Sequence, residues 1–157
     1  MISEKKAHSA SADTKFLKMK GQAVPLYGYH ILREHVMKEI TGEHQSAILY
    51  WAGKNLAEHL RIHTFEQCRD LFLEMGWGYL EKVHSSSHIY RYTLESPFFA
   101  SRQVDQNQST FALECGFLTE AIAQIENKQT EGEFKAFISQ ENQGVQFTIY
   151  LQEKGES

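Results

Sequence analysis

The stretch that decides the fold is Glu114-Cys115-Gly116-Phe117-Leu118-Thr119-Glu120-Ala121-Ile122-Ala123, the first half of a predicted amphipathic helix over residues 109–127. Ser109 suits its N-cap, because a serine hydroxyl accepts a hydrogen bond from an amide of the first turn. A glycine inside a helix costs up to about 1 kcal/mol against alanine. We therefore expect another backbone or a ligand to approach Gly116 closely. The apolar residues recur in steps of three and four and form one buried stripe: Phe111, Cys115, Leu118, Ile122 and Ile125.

Two strands, 133–139 and 145–152, are predicted directly after this helix, with Gln143-Gly144 as the turn. In the second strand, apolar side chains face one way and polar ones the other: Val145, Phe147, Ile149 and Leu151 against Gln146, Thr148 and Tyr150. Such alternation is typical of an antiparallel sheet with one buried face.

Three helices are predicted before the central one. The first covers residues 26–40, between Pro25 and Gly42, and places on one side Leu26, Tyr29, Leu32, Val36 and Ile40. The second covers residues 47–62, with Ser46 as its cap. The third covers residues 65–75 and ends at Gly76; Thr64 and Gln67 have the spacing of a capping box.

The second helix is apolar on more than one side. Its main stripe is Leu49, Ala52, Leu56 and Leu60, and Ile48 and Trp51 widen it beyond what one core-facing side requires. In a small domain, such a helix often packs against another subunit.

Strands are also predicted over residues 77–84 and 87–95, around a serine turn. The order of elements is three helices, a hairpin, a helix and a hairpin. It predicts an α+β fold with helices packed on one face of the sheet. At 157 residues the chain suits a single domain, which we place at 23–157 after a flexible tail at 1–22.

The net charge of −4 and the lack of a large basic cluster argue against nucleic acid or an anionic membrane as partner. No apolar run is long enough to span a bilayer, and the N-terminus lacks a signal peptide. Cys68 and Cys115 fall on apolar helix faces, as free thiols do in a reducing compartment. The expected location is the cytoplasm.

No recognisable catalytic or phosphate-binding motif occurs, so no catalytic residue is assigned. His59 and His63 have a zinc-compatible spacing of four, but a histidine at a helix C-terminus is stabilised by the helix dipole without metal. No metal site is predicted. Glu114 and Glu120 lie outside the apolar stripe of their helix and are expected on the solvated surface.

Several short runs, in this order, resemble the 4-vinyl-reductase-type domain: Trp51-Ala52-Gly53-Lys54, Met75-Gly76-Trp77-Gly78, Glu114-Cys115-Gly116-Phe117-Leu118 and the closing hairpin. In particular the chain resembles a family of small Bacillus-type cytoplasmic proteins of unknown function, and this resemblance implies the fold of Bet3-like subunits of the TRAPP vesicle-tethering complex. The resemblance covers residues 25–152. It implies a four-stranded antiparallel sheet, a homodimer through the first two helices, and a cavity for a small molecule.

Two departures limit what the resemblance transfers. Many related domains carry further cysteines in the closing hairpin, sometimes tied to metal, whereas residues 133–152 contain none. Bet3-like subunits carry an acylated cysteine just before the third helix, where this chain has Arg61-Ile62-His63. Cys68 lies about a turn further on, so covalent acylation does not transfer.

The resulting hypothesis is a non-enzymatic homodimeric module that binds a hydrophobic small molecule or acts as a scaffold. The expected cavity lining, between helices three and four and the sheet, is Cys68, Leu71, Phe72, Cys115, Leu118 and Ile122. The expected dimer contacts are Tyr29, Ile48 and Trp51. Two alternatives stay open: an enzyme or accessory factor for a tetrapyrrole or similar conjugated molecule, and a purely structural interaction module. The sequence identifies no cofactor.

Overall fold

The computed structural model describes residues 21–96, 111–138 and 143–155. Residues 26–74 are mostly helical. Helix α1 consists of Leu26–His30, a π-helical stretch Ile31–Val36 and Met37–Thr41, and a short 3-10 turn follows at Gly42–His44. Two α-helices complete this half: α2 (Gln45–Leu60) and α3 (Phe65–Glu74).

A four-stranded antiparallel sheet and one further helix form the second half. The elements are β1 (Tyr79–Ser85), β2 (Ile89–Glu95), α4 (Ala112–Glu126), β3 (Gln129–Ile138) and β4 (Gln143–Gln152). The strand order is β1-β2-β4-β3. Strand β4 is therefore central, pairing Tyr92 with Phe147 on one side and Phe134 with Phe147 on the other. The predicted α+β fold is confirmed.

Helix α4 is the centre of the core. It packs on β3 and β4 with one side and on α2 with another, and α3 closes the space between β1 and α4. Phe117 of α4 meets the rings of Phe72 and Trp77 edge-on, with centroid separations of 5.7 and 5.2 Å. Four of the five predicted stripe residues are buried, and Ile125 is partly buried: the four are Phe111, Cys115, Leu118 and Ile122.

The crossing of α2 and α4 depends on two glycines. A Cβ at Gly116 would overlap the backbone carbonyl of Tyr50, and one at Gly53 would overlap the backbone of Leu113. Since the distance between two packed helices is set by the side chains at their contact, glycine on both sides allows the closest approach. The prediction that a backbone comes close at Gly116 is confirmed.

Helix ends were predicted with mixed success. The capping box is confirmed: the Thr64 hydroxyl accepts from the Gln67 amide at 3.2 Å, and Gly76, at φ +72°, follows the end of α3. The Ser46 cap is wrong, because α2 already begins at Gln45 and has no side-chain cap. Ser109, the predicted cap of the central helix, and most of the predicted tail lie outside the described residues.

The closing hairpin differs from its prediction in two ways. Strand β3 begins at Gln129, four residues earlier than expected, because polar residues and Gly132 hide the alternation there. Gly132 faces α4, where a Cβ would overlap the Thr119 hydroxyl. Gln143 and Gly144 pair with Ile138 and Phe137 inside the ladder. The predicted turn at Gln143-Gly144 is therefore wrong.

Helix α1 does not bury the predicted apolar stripe. Leu26, Leu32 and Ile40 are each more than half exposed, whereas Arg33 is the buried residue of the segment 21–41. Tyr29, Arg33 and Met37 follow one another at intervals of four and all turn at least partly inward. A π turn, with hydrogen bonds from i to i+5, is wider than an α turn and keeps this spacing in line. The most deeply buried side chain of α1 is thus charged, Val36 and Met37 are only partly buried, and most of the large apolar side chains of the helix are exposed.

Candidate functional site

A buried ion pair joins α1 to the centre of the core. The Arg33 guanidinium donates from Nη2 to Oε2 of Glu114, and the two side chains are only 6% and 1% exposed. Burial by itself lowers the pKa of Arg33, but the Glu114 carboxylate and the Tyr29 oxygen more than offset this, so the net pKa is raised. Arg33 therefore carries its charge inside the protein.

Two aromatic side chains complete this cluster. The Tyr29 hydroxyl oxygen accepts from Arg33 Nη1 at 3.0 Å and from Trp77 Nε1 at 3.2 Å. Trp77 follows α3, is 4% exposed and stacks edge-on against Phe72 and Phe117. The polar cluster (Tyr29, Arg33, Trp77 and Glu114) thus links α1, the end of α3 and α4.

The expectation that Glu114 lies on the solvated surface is wrong. Sequence reasoning placed it outside the apolar stripe, but the stretch from Phe111 to Ala123 is apolar on almost every side. A helix that is hydrophobic all round is buried all round, so its polar residues are buried too. The apolar composition of this stretch was therefore the sequence signal that Glu114 is buried. Its partner Arg33 had no comparable signal, since the ion pair spans 81 residues of sequence.

The outward side of α1 and the adjoining part of α2 expose large apolar side chains. We call this surface the apolar face; its members are Leu26, Tyr27, Ile31, Leu32, Ile40, Ile48 and Trp51. Tyr27 is 76% exposed and Trp51 65%. Of the three expected dimer contacts, Ile48 and Trp51 lie on this surface. Tyr29 is half-buried, with its hydroxyl in the polar cluster.

The residues expected to line a cavity lie together in the core between α3, α4 and the sheet. Cys68, Phe72, Cys115, Leu118 and Ile122 are buried, and Leu71 is half-buried at the edge. Burial raises the pKa of both cysteine thiols to about 12. Both are therefore protonated at neutral pH, and a protonated buried thiol is a poor nucleophile.

Tyr92 lies beside Cys68 and was not singled out from the sequence. Its side chain is completely buried, and its hydroxyl has no hydrogen-bond partner among the described residues. Above it, the Lys82 ammonium lies 4.3 Å from the ring centroid of Tyr90 and 5.8 Å from that of Tyr92. An unsatisfied buried hydroxyl costs free energy, so such a group in a native structure calls for an explanation, such as a water or another bound species that hydrogen-bonds to it.

A separate open groove of about 530 Å³ lies where α4 ends and β3 begins. It contains none of the expected cavity residues. Its three lysines already have partners. Lys128 pairs with Glu153 at 3.1 Å, Lys154 donates to Asn127 at 2.7 Å, and the Lys54 ammonium lies 4.9 Å from the ring centroid of Trp51. The lining is mostly polar: Lys54, Glu120, Ala123, Gln124, Asn127, Lys128, Gln129, Thr130, Glu131, Tyr150, Gln152 and Lys154.

Metal and membrane features can be assessed for the described segments. Within residues 21–96, 111–138 and 143–155, no three His, Cys, Asp or Glu side chains are grouped so that they could hold a metal ion. His59 contacts the backbone carbonyl of Asn55 through Nδ1 at 2.8 Å. Over the same residues, no helix has the length and apolar character needed to cross a membrane.

The comparison with one solved structure supports the fold, and a second match is weaker. A vinyl-4-reductase family protein from Methanocaldococcus jannaschii superimposes with a TM-score of 0.61 at 15% identity, over 85% of each chain. Trafficking protein particle complex subunit 3 from Naegleria fowleri, solved with covalently bound palmitic acid, gives a TM-score of 0.41 at 14% identity, over 94% of this chain and 92% of that one.

Comparisons of sequence show the family. YslB, an uncharacterized protein of Bacillus subtilis (strain 168), is 36% identical over 103 residues, which are 66% of this chain and 69% of YslB. The model of a protein family of unknown function, DUF2507, matches residues 26–150, from the start of α1 into β4. The chain therefore belongs to the DUF2507 family.

Proposed function

We propose that this protein is a homodimeric scaffold module whose two copies meet through the apolar faces of α1 and α2. The observation that carries the proposal is the inverted polarity of α1. Its buried side holds Tyr29 and Arg33, while Leu26, Tyr27, Leu32 and further apolar residues point outward. Water-exposed apolar surface of this extent on a single helix favours a covering partner.

The size of the apolar face suits a second copy of the chain. A large aromatic side chain offers about 200 Å². At their exposed fractions, Tyr27 and Trp51 alone therefore contribute roughly 150 and 130 Å². With the five aliphatic residues, the total comes to several hundred Å² per subunit. Stable interfaces bury about 800 Å² per partner. Neighbouring atoms of the same two helices would supply the area that the apolar face itself does not.

A substitution at Trp51 tests the dimer. Replacing Trp51 with Ala should shift the protein toward monomer in sedimentation equilibrium, because exposed aromatics at the centre of an interface contribute most of its binding energy. Leu73, on α3, is 50% exposed but lies outside the apolar face. Leu73→Ala is therefore the matched control and should leave the mass unchanged. A monomeric wild type, or a Trp51→Ala dimer as tight as the wild type, would refute the proposal.

A second candidate function, binding of a hydrophobic small molecule, is favoured by the buried Tyr92 hydroxyl. A ligand with one polar atom and an apolar body would satisfy this group while contacting Cys68 beside it. Small-molecule sites commonly have this composition, apolar walls with a few placed polar groups. The site would recognise its ligand by shape and one hydrogen bond. Two buried free thiols fit a reducing compartment such as the cytoplasm.

Native mass spectrometry of protein purified from its own host tests this second function. Extra mass that is lost on denaturation, and reduced in a Tyr92→Phe variant, would support a ligand at this position. Tyr90→Phe is the control, because Tyr90 lies at the surface end of the same strand and is only partly buried. A protein that never carries extra mass, or carries it equally in both variants, would contradict a ligand at Tyr92.

A further inference from the structure

Helix α1 is attached to the rest of the domain through its polar side. Its buried residue, Arg33, reaches Glu114 on α4, and Tyr29 reaches Trp77. In segment 21–41, no apolar side chain is fully buried: Val36 and Met37 are partly buried, and Leu26, Tyr27, Leu32 and Ile40 are more than half exposed. The position of α1 therefore depends on directional hydrogen bonds and one ion pair rather than on a broad apolar contact.

Helix α1 is therefore only marginally stable by itself. Isolated helices shorter than about 12–15 residues are marginal in water even when rich in alanine, and most helical stability in proteins comes from packing an apolar face. In a single chain, the apolar side of α1 has no such packing. A second copy seated on the apolar face would supply it, and would also hold α1 in the position where Arg33 meets Glu114.

We propose that docking of α1 onto the polar cluster and assembly of the dimer are one coupled step, with the Arg33–Glu114 pair as the latch that positions the apolar face. This inference rests on the proposed homodimer. In the monomer α1 is released, Trp77 loses its Tyr29 partner, and the α1 part of the apolar face no longer has a fixed position relative to α2. Because coupling between two equilibria is reciprocal, weakening either event weakens the other.

The two tryptophans of the chain allow a direct test. Trp51 lies on the apolar face and Trp77 in the polar cluster, and the sequence contains no others. A Trp51→Phe variant keeps an aromatic anchor and leaves Trp77 as the single reporter, whereas Trp51→Asp should be monomeric. On dilution of Trp51→Phe, the Trp77 emission should shift to the red with the same midpoint as the loss of dimer mass. Trp51→Asp should show the red-shifted emission at every concentration.

A second arm perturbs the latch itself. Glu114→Gln, in the Trp51→Phe background, removes the charge of the carboxylate at nearly constant volume. The dimer dissociation constant should rise by about 5- to 150-fold, the usual range for coupled sites. Hydrogen exchange should accelerate in residues 26–41 while α4 stays protected. Glu81→Gln makes the same chemical change at an exposed position on β1 and should alter neither quantity.

The outcomes separate the inference from the proposed function. If the wild type is a monomer, the dimer proposal fails. If the wild type is a dimer but the Trp77 emission of monomeric Trp51→Asp equals that of dimeric Trp51→Phe, the coupling is refuted and the dimer stands. A Glu114→Gln dimer of wild-type affinity also refutes the latch. Should Glu114→Gln not fold, the Trp51 variants decide alone, because they leave the core intact.

Discussion

Adding one methyl group at Gly116 should separate the two helices that organise the core. A Cβ there would overlap the carbonyl oxygen of Tyr50, and its next nearest neighbours are also backbone atoms of Tyr50. Backbone atoms cannot rotate away as a side chain can, so α2 and α4 must move apart. Overpacking of a well-packed core costs about 1–3 kcal/mol, and we expect the upper end of this range.

The intrinsic helix preference acts in the opposite direction. Alanine is favoured over glycine inside a helix by about 1 kcal/mol. Gly116→Ala should therefore lower the free energy of unfolding by about 2 kcal/mol net. Gly28→Ala is the matched control, because Gly28 also lies within a helix but a Cβ there would have no atom within 4 Å. This variant should be unchanged or more stable by up to about 1 kcal/mol.

Urea denaturation, followed by circular dichroism at one fixed protein concentration, measures both changes. A fixed concentration is needed because the stability of a dimer depends on it. Gly53→Ala, on the other side of the same crossing, should be destabilised like Gly116→Ala. If Gly116→Ala and Gly28→Ala have equal effects, the close approach of the two backbones is not what limits the residue at 116, and the reasoning is refuted.

Two further predictions concern buried ionisable groups. Arg33→Met alone should lower the free energy of unfolding by about 3–5 kcal/mol, because it leaves the Glu114 charge buried without this partner. Arg33→Met combined with Glu114→Leu should lower it by less, since no buried charge then remains at either position. A double-mutant cycle in which the two losses simply add would contradict this. Stability should also fall as pH rises from about 9 to 12, because burial raises the thiol pKa of Cys68 and Cys115 from 9.0 to about 12 in the folded state. The folded protein then binds more protons than the unfolded chain over that interval, so the thiols' contribution is complete below pH 9 and is lost toward pH 12. Thermal melts of Cys68→Ala should show a shallower loss over this interval than the wild type, and an equally steep loss would refute the assignment.

Local signals determined most of the secondary structure. The capping box at Thr64 and Gln67, the stop at Gly76 and the alternation from Val145 to Leu151 act within a few residues, so the sequence shows them directly. The alternation of apolar and polar residues did not predict the start of β3, because position 132 must be glycine to fit against Thr119 of α4 and not because of its own strand. A position whose requirement comes from a distant neighbour carries no local signature.

The same distinction applies to the functional residues. The sequence by itself indicated the apolar residues Ile48 and Trp51 as candidates for a subunit contact, since apolar residues on more than one side of a helix can be recognised from their spacing along the chain. Only the tertiary structure revealed that Arg33 and Glu114 form a buried pair, that α1 turns its polar side inward, and that the Tyr92 hydroxyl is enclosed. An ion pair across 81 residues is selected by three-dimensional proximity and desolvation, and neither is encoded in the spacing of residues along the chain.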